Sequence, residues 1–62
     1  MAQADFVSRT LARASAMRDL ASRARSLADD LGRESPNVLL EYARELEAYA
    51  ALLEAEARRQ SV

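Results

Sequence analysis

A single break divides this sequence. Its only glycine, Gly32, and its only proline, Pro36, stand four positions apart near the midpoint of 62 residues. Gly32 follows Leu31 where a left-handed residue would end a first helix. Ser35 then offers a side-chain acceptor at the N-cap and Pro36 a fixed φ at the first position of a second helix, with Asn37 as a competing cap. Between Gly32 and Ser35 only Arg33 and Glu34 remain, a connection short enough to return the chain antiparallel. The sequence therefore predicts an all-α antiparallel helical hairpin in a single domain over residues 1–62, with helix 1 near 4–31, the turn at 32–35 and helix 2 near 36–59.

Propensity agrees. Half of the residues are apolar, mostly Ala and Leu, and 31% are charged, while β-branched and aromatic residues are few; such a composition favours helix over strand. The first helix is expected to start near Asp5, whose carboxylate caps free amides and meets the positive end of the helix dipole.

Both halves fit a heptad. With Thr10, Met17, Ala24 and Leu31 at position a, position d holds Phe6, Arg13, Leu20 and Leu27, and position e holds Val7, Ala14, Ala21 and Ala28. The outward f position reads Ser8, Ser15, Ser22, Asp29. With Leu39, Leu46 and Leu53 at a, the second half has Tyr42, Tyr49 and Glu56 at d and Ala43, Ala50 and Ala57 at e. Each helix thus carries a seam of larger residues flanked by an alanine row, and the alanines allow the two backbones to approach closely. Tyr42 and Tyr49, one heptad apart, are expected in the core with their hydroxyls at the rim; the alternative is a binding surface.

One hairpin cannot enclose all of this. Two cylinders touch along a line, and Leu11, Val38, Leu40 and Leu52 lie off the main seams, so a second contact surface is expected. The size of the chain points the same way, because a single core below about 70–80 residues rarely supplies more than about 3–5 kcal/mol without a staple. No cysteine is present to form a disulfide, and with histidine also absent the usual zinc ligands are missing. Association is the remaining source: a homodimer closing a four-helix bundle, or a helical protein partner, with Met17, Leu20, Leu27, Leu46, Tyr49 and Leu53 as the interface.

No catalytic, cofactor or metal site is expected. The chain lacks histidine, cysteine and lysine and has no glycine-rich phosphate loop, which removes the common acid–base, nucleophilic and Schiff-base groups. Asp29, Asp30 and Glu34, or Glu41 with Glu45 or Glu47, are the carboxylates close enough in sequence to consider for a cation or an acid–base pair. Glu41 also lies three before Arg44 and Glu54 four before Arg58, which is ordinary surface ion-pair spacing.

All nine basic residues are arginine, and the formal net charge is −1. A chain so balanced has no overall attraction for nucleic acid or an anionic membrane. The charges are nonetheless divided: residues 1–31 hold five Arg against four Asp, and residues 37–62 hold three Arg against five Glu. Such a division suits attraction between antiparallel helices. Arg13 interrupts the apolar seam, either snorkelling near the open end of the hairpin against Asp5, Glu56 or a chain terminus, or acting as a register-setting residue or a contact to an anionic partner. The longest apolar run is Val38-Leu39-Leu40, and the start MAQADFV lacks a signal peptide's basic region and apolar core, so a soluble cytoplasmic protein is expected.

Two likenesses of length and texture accompany this reading. A hairpin of this size with its turn near the centre resembles the plasmid-encoded ROP-type RNA-binding dimers, which form antiparallel four-helix bundles and hold RNA with helix 1. That resemblance implies an RNA-binding regulator whose contacts here would be Arg9, Arg18, Arg23 and Arg25. The stretch YARELEAYAALL at residues 42–53 is similar to small hairpin co-chaperones of type III secretion needles, which pair with another chaperone. The function expected from the residues themselves is non-enzymatic: a small bacterial adaptor, chaperone-like or regulatory protein acting through the apolar face of a self-associating hairpin.

Overall fold

The computed structural model describes residues 2–34 and 37–61, with side chains from Ala4 onward. A first helix, α1, spans Ala2–Leu31, a short 3-10 turn spans Gly32–Glu34, and a second helix, α2, spans Asn37–Gln60. The helices pack against each other as a hairpin. Gly32 adopts φ 58°, the left-handed conformation that ends α1 where expected. Asp5 lies in the first turn of α1 and not at its cap, since the helix begins three residues earlier. Its carboxylate instead pairs with Arg9 one turn on, at 3.2 Å. The cap expected at Ser35 and Pro36 lies outside the described residues, and α2 begins at Asn37.

The line of contact is made of alanine. Ala14, Ala21, Ala24 and Ala28 of α1 and Ala43, Ala50 and Ala57 of α2 are buried, with Thr10 the buried polar residue beside them. In each helix the e row is therefore the centre of the seam. This corrects the expectation that the larger a and d residues form the centre with alanines at their flank. The reason is steric: with only methyl groups between them the backbones move close together, and residues a quarter-turn or more away are then carried past the contact. Met17, Leu39, Leu46 and Leu53 stay half-buried at the flank, and Leu46 packs on Ala21, Ala24 and Ala43. Tyr42 and Tyr49, expected in the core, are 48% and 52% exposed.

A seam of methyl groups is a small core. Burial yields roughly 0.8 kcal/mol per CH₂-sized group, against about 1–2 kcal/mol for ordering each residue's backbone. The molecule is also a rod, measuring 49 × 13 × 11 Å. Its radius of gyration is 14.4 Å, against about 10.5 Å for a compact domain of this length. Much of the apolar surface consequently stays in water.

Candidate functional site: two unlike edges along an alanine seam

Two forked ion pairs fix the register of the helices. Arg18 donates from Nε to Glu54 Oε2 at 2.8 Å and from its terminal nitrogen to Oε1 at 2.6 Å. Arg25 repeats the arrangement on Glu47, at 2.9 and 2.6 Å. Arg18 and Arg25 are one heptad apart on α1, and Glu54 and Glu47 one heptad apart on α2 in the opposite order, as an antiparallel pair requires. These hydrogen bonds hold both carboxyls below their usual range and both guanidiniums above theirs. Glu54, whose spacing pointed to Arg58, is thus taken by Arg18 across the groove. The sequence signal for both forks was present in the matched heptad spacing of two Arg and two Glu.

The forks also identify the two long edges of the hairpin. At about 100° per residue, a side chain two positions further along a helix lies on the opposite flank of the contact line. Leu20 and Leu27 follow Arg18 and Arg25 by two, and Tyr49 follows Glu47 by two; Tyr42 lies one heptad before Tyr49. One edge therefore carries the two forks, with Leu11 and Leu40 one heptad before Arg18 and Glu47 in the same rows, while the other gathers Leu20, Leu27, Tyr42 and Tyr49. On this second edge Leu20 is 42% and Leu27 48% exposed. Phe6 extends the row toward the open end and is also exposed.

The six expected interface residues accordingly divide. Leu20, Leu27 and Tyr49 stand exposed on the apolar edge. Met17, Leu46 and Leu53 are half-buried at its base, where Leu46 belongs to the hairpin's own core. Phe6 and Tyr42 join the exposed row, while Val38 and Leu52 lie further round α2 and are the more exposed, at 61% and 67%. Arg13 and Glu56 sit on the d rows of the same edge, toward its open end. Arg13 is exposed and makes no ion pair among the described residues. Asp5 and Glu56, two carboxylates considered for it, are engaged with Arg9 and Arg59 respectively. Glu56 also accepts a 3.3 Å bond from Gln60 Nε2. Bonds from Arg59 first and Gln60 second hold its carboxyl below the usual range.

Of the arginines considered for nucleic acid, Arg9 holds Asp5, Arg18 holds Glu54 and Arg25 holds Glu47. Arg23 makes no ion pair among the described residues. Ser8, Ser15 and Ser22 face solvent. Among the described residues no three acidic side chains converge in a way that would hold a metal ion, and no helix is long and apolar enough to cross a membrane. A shallow depression of about 390 Å³ beside the turn is lined by Ala28, Asp29, Gly32, Arg33, Asn37 and Leu40.

No protein-family model matches the chain, and neither the curated proteins nor the solved structures contain a match to it.

Proposed function

We propose that this chain is a non-enzymatic protein–protein interaction module, a small adaptor, chaperone-like or regulatory protein that works as a soluble homodimer, two hairpins closing a four-helix bundle. The observation that supports this reading is the apolar edge. Leu20, Leu27, Tyr42 and Tyr49 lie in one row beside half-buried Met17, Leu46 and Leu53, and each of the four is more than two-fifths exposed. Tyrosine and leucine in a continuous row make a surface that gains by covering, and tyrosine in particular concentrates binding energy at interfaces.

The exposed area is of the right size. The hairpin presents 4779 Å² to solvent, about 800 Å² above the roughly 4,000 Å² of a folded monomer of 6.9 kDa. That excess, which the rod shape accounts for, is comparable to one partner's share of a standard interface, about 800 Å². A cytoplasmic location belongs to the same proposal.

Sedimentation equilibrium over a wide concentration range, with helicity followed by circular dichroism, tests the reading. The expected result is a helical dimer whose melting temperature rises with concentration. Leu20→Glu and Tyr49→Glu, on the apolar edge, are expected to yield helical monomers. A wild-type chain that stays monomeric and fully helical at millimolar concentration would overturn the homodimer. A ROP-like RNA-binding reading would require phosphates to displace Glu54 and Glu47 from Arg18 and Arg25; it predicts RNA retention that falls steeply with salt.

A further inference from the structure

The apolar edge carries two opposite charges, and their levels along the rod discriminate between the ways two copies can meet. The Arg18–Glu54 and Arg25–Glu47 forks act as a ruler, since each marks residues of α1 and α2 at the same height. On that ruler Arg13 and Glu56, Leu20 and Tyr49, and Leu27 and Tyr42 each differ by the same three residues, about 4.5 Å along the axis. The d row of α1 and the d row of α2 are therefore matched in spacing and order: charge with opposite charge, then leucine with tyrosine twice.

Two closed, face-to-face arrangements use this edge on both copies. A two-fold axis along the rod keeps every residue at its own height and lays α1 of one copy on α2 of the other. Arg13 then faces Glu56 of the second copy, Leu20 faces its Tyr49, and Leu27 faces its Tyr42. A two-fold axis across the rod lays α1 on α1. Setting Leu20 level with Leu27 of the other copy then brings Arg13 level with Glu34 in the turn, but it sets Glu56 beside Tyr42 with no opposite charge on that edge, and it no longer sets the leucines against the tyrosines.

We infer that the second copy docks with its two-fold axis along the hairpin, turn beside turn, with Arg13 of each chain reaching Glu56 of the other at the open end. This rests on the homodimer proposed above and adds its direction and its specificity contact. Arg13 is exposed and makes no ion pair among the described residues. Glu56, though bonded to Arg59 and Gln60, retains acceptor capacity, because a carboxylate offers about four lone-pair sites. The contact occurs twice per dimer, and mixing two variants separates it from the same pair within one chain, which the level of Arg13 and Glu56 on adjoining helices also allows. Crosswise docking in that register leaves Glu56 without an opposite charge on the facing edge, so the pair favours the lengthwise arrangement.

The test is a mixture. Arg13→Glu alone sets two glutamates against each other in both copies of the contact at the open end, and Glu56→Arg alone sets two arginines there. Each variant is expected to dimerise about tenfold or more weakly than wild type, because two attractive ion pairs at the rim become repulsive. Mixed one to one, the two variants form a heterodimer in which opposite charges meet again, and association is expected to return to within about threefold of wild type. An interaction inside one chain would not be restored by mixing. Weak association that persists in the mixture, while wild type dimerises, overturns the docking direction and leaves the homodimer standing; a monomeric wild type overturns both.

A second readout avoids altering the ion pair. Ser8 lies on the outward face near the open end, and Ser8→Cys can carry a spin label. Lengthwise docking is expected to bring the two labels within about 30 Å, the width of a bundle whose helices sit 8–10 Å apart. Crosswise docking would hold them roughly 45 Å apart at opposite ends, and that distance would sink the inference.

Discussion

Arg18 grips Glu54 with two hydrogen bonds across 36 residues of sequence, at 2.8 and 2.6 Å, and Arg25 does the same to Glu47 one heptad closer to the turn. The pairs bridge one edge of the alanine seam; the other carries leucine and tyrosine, with Arg13 and Glu56 toward its open end. Because both are partly exposed, their value lies in geometry as much as in strength. A forked guanidinium–carboxylate contact accepts one register and one rotation of the helices.

Acid should loosen this edge. Glu47 and Glu54 have folded-state pKa values lowered from 4.5, chiefly by the bonds from Arg25 and Arg18. Groups lowered on folding contribute stability that is full above their unfolded pKa and is lost as pH falls through the folded one. The melting temperature of wild type is therefore expected to drop between neutral pH and about pH 3, and the Glu47→Gln/Glu54→Gln variant to start lower at neutral pH and drop less. Thermal melts by circular dichroism at the two pH values read the difference; equal drops would mean the forks contribute nothing to folding.

Enlarging the seam should be costly at its centre. Ala21 and Ala50 are fully buried, so Ala21→Leu or Ala50→Leu must push the helices apart or bend a side chain off its rotamer. A loss of about 1–3 kcal/mol is expected in urea denaturation. A variant as stable as wild type would mean that the close approach of the backbones is not what holds the hairpin.

Leucines of the same helix should differ. Leu46 packs on Ala21, Ala24 and Ala43, whereas Leu52 is 67% exposed. Leu46→Ala is expected to cost about 2 kcal/mol and Leu52→Ala less than about 0.5 kcal/mol. The comparison is made by denaturation at one low protein concentration, where dimerisation contributes equally little to both.

At the turn, backbone conformation and side-chain space can be separated. Gly32 has φ +58°, and a Cβ built there meets nothing within 4 Å. Gly32→Ala therefore adds no clash, only the left-handed strain of an L-residue, about 1–2 kcal/mol. For a domain of this size that is a fall of roughly 4–8 °C per kcal/mol. Gly32→Asn should fall less, since asparagine tolerates the left-handed region. Equal melting of all three proteins would mean that the turn has changed its path.

The residues of this chain determine two helices and where they part. Helix formation is local, and Ala, Leu, Glu and Arg in long runs with one Gly-to-Pro interruption leave the backbone few alternatives. The heptad likewise determined the rows: alanines together, serines together, leucine with tyrosine, arginine with glutamate. Tertiary structure decided which row became the seam and which edge stayed in water. Rows on a helical wheel have angles but no partner distance, so the pattern alone placed Tyr42 and Tyr49 inside and gave Glu54 to Arg58. Once methyl groups meet methyl groups the axes close up, the contact line shifts from the larger residues to the alanines, and everything around it turns by the same angle. Arg18 and Arg25 then come within reach of Glu54 and Glu47, while Leu20, Leu27, Tyr42 and Tyr49 turn outward together.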